Sequence, residues 1–539
     1  MAVIRVRTFS GIRPAVSPEL LSPGEAQSAV NARLTSGTIE PYNGLGSVMS
    51  MPGTFATIYR FGQVVTSDTQ SWMTFTQDAN IVRAPIDGDT EERTYITTTQ
   101  FSFPAKTRAD MVGSSPGVPS VLRMGLPAPG TFTATVTGTA TDPTSAAETS
   151  VWRATFVTSW GEEGPGGVVS NAVSWRAGQS VSLTSLPGNP SGAYAVTHIR
   201  LYRSATGTSA AQFQYLTQLA VGTASYSDST PTANLGDVLT TSGWLAPPDS
   251  MIGLTSMANG MLAGFTGNTV CFCEPFVPYA WPTRYQQSTA DAIIGMASFD
   301  QSLVVGTAAG VYIFTGPDPS SITSERIQTS HSLASKRSMV SAMGGVVFAS
   351  NEALVFIGPG GMRELTDGIM TRREWTSYTP SSMQVIERDG RLHVYYNNGT
   401  PGVLIWDTQA GSVTQSTVFG TPYVDKYRDA LFLHSGGALY KWDTNAGSPL
   451  TYTWTSGVYR MADECNMAAA RVDAHAYPVT FSFYTDDSVL RHTQTVSSNY
   501  GFRLPAGYKT TRCYFTISGT NAIRSVEIAT SMKELTRDG

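Results

Sequence analysis

Between residues 250 and 445 the chain repeats one pattern of short apolar strands, and this repeat restricts the fold more than any other feature. The first unit runs through Met251-Ile252-Gly253-Leu254, then Asn259 to Phe265, then Thr269-Val270-Cys271-Phe272-Cys273. The second has Ile293-Ile294-Gly295-Met296, Gln301 to Thr307 and Gly310-Val311-Tyr312-Ile313-Phe314. A third follows at Met339 to Ala342, Gly345 to Ala349 and Ala353 to Ile357. Two more end in aromatics, at Gly390 to Asp407 and at Asp429 to Asp443. The units start near 251, 293, 338, 383 and 422, a period of roughly 40–45 residues that matches one four-stranded propeller blade. One blade cannot cover both of its faces, so blades stack radially. Ordinary hairpins in a sandwich or irregular β-domain are the alternative reading. Trp406-Asp407 and Trp442-Asp443 close strands, with Asp placed to cap the following turn.

The flanking segments complete the plan. Residues 1–53 are rich in Pro and read as an irregular N-terminal arm; Glu25 to Ala32 could form a helical turn or two, with Ser22 as cap and Pro23 in the first position. Residues 54–115 alternate as one further four-stranded blade region, bringing the expected count to about six blades. After the linker Pro116 to Pro129, short strands over 131–230 predict an inserted β-sandwich. Blades occupy 250–449, and 450–532 alternates as a C-terminal β-domain, with Lys533 to Gly539 a frayed tail. The fold class is therefore all-β: a β-propeller-like body of about six blades, an inserted sandwich and a C-terminal β-domain.

Composition matters at the surface. Only 14% of residues are charged, well below the usual share of about 25%. A surface so poor in charge favours burial against other subunits. The net charge of -5 argues against a protein that coats nucleic acid. Met1 to Ser10 lacks the apolar core of a signal peptide, and no run approaches 18 apolar residues, so a cytoplasmic product without a membrane anchor is expected.

Chemistry is sparse. Gly-x-Ser-x-Gly, a phosphate loop and His-Glu-x-x-His are all missing. The six histidines, His198, His331, His393, His434, His475 and His492, are too dispersed for a local metal motif. Cys271 and Cys273 share a strand face and do not pair easily, and Cys465 and Cys513 are isolated, so four free, partly buried thiols are expected. Glu91-Glu92, Glu162-Glu163 and Asp486-Asp487 are adjacent acids in turn contexts, expected to be solvated. A glycosidase would need two carboxylates across a cleft. Trp160, Trp175, Trp244, Trp281 and Trp375 could stack on sugars or fill cores and interfaces. These residues give no catalytic, cofactor-binding or metal site, and no cofactor.

The opening, Gly11-Ile12-Arg13-Pro14 through Leu21-Ser22-Pro23-Gly24-Glu25-Ala26 to Asn31-Ala32-Arg33-Leu34-Thr35-Ser36-Gly37-Thr38-Ile39-Glu40-Pro41, resembles the N-terminus of tail nozzle, or distal tail tube, proteins of short-tailed double-stranded DNA bacteriophages. Phe156 to Pro165 with His198 to Arg203 is similar to their inserted fibronectin-like module, and Ala349 to Leu354 with Gly358 to Gly361 to their propeller blades. The resemblance implies a non-enzymatic virion protein, assembled in the host cytoplasm. It implies a homo-oligomeric ring, a hexamer, below a tail adaptor protein, touching tail fibres or a tailspike and a tail plug, with double-stranded DNA passing during ejection. The alternatives are a glycan-binding or glycan-cleaving propeller protein of the tail, and a head-to-tail adaptor or other connector, which should carry more helix.

Overall fold

The computed structural model describes residues 3–62, 67–204, 212–486 and 488–535. The architecture is all-β, built of several small antiparallel sheets. Among the described residues only Arg372–Ser377 and Met532–Leu535 are α-helical. The first forms because Thr371 and Glu374 make a reciprocal capping box and Trp375 is fully buried on its inner side.

Four of the five expected repeats are separate four-stranded sheets, and the fourth is part of a larger one. Ile252–Ser256, Leu262–Thr266, Thr269–Phe272 and Gln287–Ser288 make the first, and Ile293–Phe299, Ser302–Thr307, Val311–Thr315 and Thr323–Arg326 the second. Val340–Ala342, Gly345–Ala349, Leu354–Gly358 and Gly361–Glu364 make the third. In the fifth, Thr421–Asp425, Ala430–Ser435 and Ala438–Trp442 take their fourth strand from Leu45–Ser50, near the start of the chain. Inner strands such as Gly345–Ala349 are buried at every position, which explains their unbroken apolar sequence, whereas the outermost strand Thr323–Arg326 is exposed throughout. First strands lie side by side: Ile252–Ser256 packs on Ile293–Phe299, and that on Val340–Ala342. The series continues through Gln384–Arg388 and Thr421–Asp425 to Thr57–Arg60.

The single unit expected at 54–115 is two sheets. Thr57–Arg60 pairs with Trp72–Phe75, while Ala79–Arg83, Thr94–Thr98, Ala105–Thr107 and Leu122–Arg123 form a separate four-stranded sheet. The chain bends at Thr76-Gln77, so Ala79–Arg83 finds its partner in Thr94–Thr98 and not in Trp72–Phe75. Ala79–Arg83 also packs beside Ile252–Ser256, and the Ala79 amide donates to Thr57 Oγ1 at 3.0 Å.

The N-terminal segment is strand and not helix. Ala26–Val30 pairs with Tyr452–Ser456, burying Ala26 and Ala29, so sheet contacts override the local helical preference of Glu25 to Ala32. Through this strand the fourth repeat (Gln384–Arg388, Arg391–Asn397, Pro401–Asp407, Ser412–Ser416) runs on into Tyr452–Ser456, Thr510–Gly519, Val479–Thr485 and Val489–Val496, a ten-stranded sheet with Tyr459–Cys465 paired off its side. Val3–Val6 joins Ile523–Ala529, Ala469–Ala474 and Phe502–Arg503 in a four-stranded sheet. The tail expected to fray is anchored over 533–535, where Leu535 is buried against Ala469 and Ala529; residues 536–539 lie outside the described residues.

The segment at 131–230 holds two three-stranded sheets, Thr133–Thr137 with Ser180–Thr184 and Ser225–Asp228, and Trp152–Thr158 with Val196–Ser204 and Phe213–Ala220. They share one apolar cluster around Trp152, Leu183, Ile199 and Leu201. At its edge Asp228 Oδ2 accepts from Trp152 Nε1 and Arg203 Nη1, both at 2.9 Å, with Arg203 and Asp228 fully buried.

Candidate functional site

The adjacent glutamates at 162 and 163, expected to be solvated, are not. Both are buried, because segments remote in sequence bring a cation to each. Glu162 pairs with Lys106, itself fully buried on the neighbouring sheet and 4.8 Å from the Trp160 ring centroid. Glu163 accepts from Thr155 Oγ1 and Tyr202 Oη at 2.6 Å and meets Arg200 Nη1 at 2.5 Å. Burial and the Glu163 carboxylate push the Tyr202 phenol well above its ordinary value. These carboxylates weld the inserted segment together and to the body; they do not face one another across a cleft. Glu91 pairs with Arg108 and Glu92 with Arg83. Asp486 accepts from Thr510 Oγ1, and Asp487 lies outside the described residues.

The tryptophans divide. Trp281, Trp375 and Trp175 are core residues, and Trp375 Nε1 donates to the Ser350 carbonyl at 2.9 Å. Trp160 and Trp244 are half-buried, Trp160 beneath Lys106 and Arg108 and Trp244 edge-on to Tyr279. The histidines stay apart: His331 bonds Ser350 and Glu364, His434 the Met51 carbonyl, His198 Thr197, His475 Arg524 and His492 Gln494. His393 is buried, and burial with Arg388 and Arg391 nearby lowers its pKa to about 3. Among the described residues no three His, Cys, Asp or Glu could hold a metal ion together. All four cysteines are free thiols; Cys271, Cys273 and Cys513 are buried, and Cys465 is half-buried. No helix among the described residues is long and apolar enough to cross a membrane.

A cavity lies where the first strands meet. It has a volume of about 330 Å³, and Ile58, Ile81, Leu254, Val340, Ile386 and Val424 each reach it from a different sheet. Its polar wall was not visible in the repeat pattern. Lys336 and Arg337, from the short turn that precedes Val340–Ala342, enter it together with Asp78, Glu387 and Lys426. Asp78 accepts from Lys336 Nζ at 2.6 Å and lies 3.5 Å from Arg337 Nε. Burial pulls the Arg337 pKa below its ordinary value, with Asp78 opposing that shift. Burial likewise pushes the Tyr59 phenol, also on the cavity wall, up to about 12. The arrangement offers fixed cations and carboxylates around a small space, which suits binding.

No protein-family model matches the chain, and no curated protein matches it. Solved structures similar to parts of it include the RRP9 WD40 repeats, at 8% identity over 73% of this chain and 99% of that one, with a TM-score of 0.28. BBS1N, solved in complex with ARL6DN, is 12% identical over 74% of this chain and 96% of that one, also with a TM-score of 0.28. Glutaminyl cyclase from Myxococcus xanthus is 14% identical over 36% of this chain and 89% of that one, with a TM-score of 0.22. At such scores these likenesses carry no argument about fold or function.

Proposed function

We propose that this chain is a structural component of a short-tailed phage tail, of the nozzle type, whose body is a propeller closed by seven sheets. The observation that carries the propeller reading is the single cavity reached by one residue from each of six first strands. The seventh, Ile293–Phe299, packs between two of them. Strand Leu45–Ser50, completing the sheet of Thr421–Asp425, would be the clasp joining early chain to late. The two three-stranded sheets around Trp152 fit a fibronectin-like insert.

The assembly reading draws on the resemblance of the N-terminal segment and on physical features that agree with it. The inserted segment is fixed to the body by the buried Lys106–Glu162 pair, and the C-terminal strands by a continuous sheet. Such a block offers rigid lateral faces, which closed rings require. The cavity of about 330 Å³ has the volume of a small-molecule site, roughly 300–1,000 Å³, and not of a passage for a duplex. DNA would therefore travel along the axis between copies, not through any one propeller. Electron microscopy of purified particles, with the chain located by a label, tests this reading: six copies ringed on the tail axis are expected. A chain missing from particles, or monomeric when mixed with its adaptor, overturns it.

A further inference from the structure

We propose that the cavity between the first strands is a binding site for a small oxyanion, a phosphate or carboxylate group held by the outer edge of the Arg337 guanidinium with Lys336 and Lys426 beside it. This inference concerns a ligand of the single chain and stands whether or not the tail reading holds.

Arg337 is the half-buried cation of this cavity least satisfied by its neighbours. Its side chain is only 28% exposed, yet its one charged partner among the described residues is Asp78, reached through Nε at 3.5 Å. Among the described residues neither Nη group of this half-buried guanidinium has a hydrogen-bond partner, and Arg337 lines the cavity; a guanidinium edge with two parallel donors matches two oxygens of a carboxylate or phosphate. Asp78 is already shared with Lys336, so one carboxylate serves two cations. Lys426 on the same wall is exposed and has no partner among the described residues. Glu387 is the opposing acid, leaving three cations against two carboxylates around the space. Apolar side chains of Ile58, Ile386 and Val424 line the other sides, and a less polar surrounding strengthens a charge contact. A volume of about 330 Å³ falls at the lower end of the range for small-molecule sites, roughly 300–1,000 Å³, enough for a compact anion and little more.

The test is titration calorimetry on the full chain at low ionic strength, where screening is weak. Inorganic phosphate and succinate are run as separate arms to tell the two oxyanion classes apart. One saturable site per chain is expected for at least one of them. Arg337→Gln should weaken that binding by about tenfold or more, since it removes a charge-assisted bidentate contact. Lys426→Gln, at an exposed position where folding is not at risk, should weaken it about two- to fivefold, the scale of a partly solvated charge. Asp78→Asn should tighten it by releasing both cations. Lys509→Gln, a distant exposed lysine, should leave it unchanged. No saturable binding of either anion to the wild-type chain overturns the proposal. So does binding by Arg337→Gln within twofold of wild type, or an equal loss in Lys509→Gln. If Arg337→Gln fails to fold by circular dichroism, the Lys426→Gln result decides alone.

Discussion

At the scale of single residues, the buried ionisable groups were the least legible part of the chain. Glu162 and Glu163 sit beside Gly161 and Gly164, a local context that predicts a solvated turn. What buries them is Lys106, 56 residues upstream, and Arg200, 37 residues downstream, partners that no local pattern announces. Lys336 and Arg337 are illegible for the same reason, because a pair of cations before a strand looks like any solvated turn. His393 is the residue whose burial has the clearest consequence. Its folded pKa of about 3 lies below the ordinary 6.5, chiefly through burial, then through Arg388 and Arg391. The unfolded chain takes up this proton below about pH 6.5 while the folded chain does not until about pH 3, so its contribution is complete above pH 6.5 and is lost as pH falls through that window. Urea unfolding at pH 7 and pH 4 should therefore show wild type losing on the order of 3 kcal/mol more than His393→Gln across the interval. Equal losses in the two proteins would show that another group sets the acid limb.

At the scale of elements, the five repeats were legible because each inner strand is buried on both faces and so reads as an unbroken apolar run, as Leu303 to Val305 and Val346 to Ala349 do. Segment Ala26–Val30 was not, since short Ala, Gln and Ser runs favour helix locally and became strand only by pairing with Tyr452–Ser456. The same is true of the split at 54–115, where register depends on which neighbour Ala79–Arg83 meets. The N-terminal segment is held to the repeats by close backbone approach. The Ile12 amide donates to the Val413 carbonyl at 2.8 Å, and a Cβ on Gly11 would lie 2.2 Å from that oxygen and 2.6 Å from the Val413 nitrogen. Gly11→Ala should therefore cost about 2 kcal/mol, as a clash against backbone that cannot step aside. The urea midpoint measures it, and an unchanged midpoint would mean that the N-terminal segment is not seated on Ser412–Ser416.

At the scale of the whole molecule, the boundary that the change of strand rhythm places at residue 450 is crossed by hydrogen bonds. Tyr452–Ser456 pairs with Ala26–Val30, and Val30 with Gln415 of the fourth repeat, so repeats and C-terminal strands belong to one sheet. A change of rhythm in sequence marks where strand lengths change, and sheet continuity is a long-range property that it does not encode. Removing 450–539 would leave Ala26–Val30 and Val3–Val6 without their antiparallel partners and would open the apolar cluster around Trp454, Phe481 and Phe515. The fragment 1–449 should accordingly lack a cooperative calorimetric transition and be cleaved throughout by dilute protease. A stable, protease-resistant fragment ending near 449 would contradict this account.

The pairing of Met49 with Leu439 also sets a clock on how the protein is made. During translation the early strand leaves the ribosome long before its partner exists, and at about 5–20 residues per second some 390 residues take roughly 20–80 s to follow. For that interval Leu45–Ser50 has no partner strand, and its backbone is open to neighbouring nascent chains as much as to its own. Dense polysomes making this protein therefore place identical unpaired strands side by side, and slower spacing of ribosomes on the message should raise the yield of correctly closed chains.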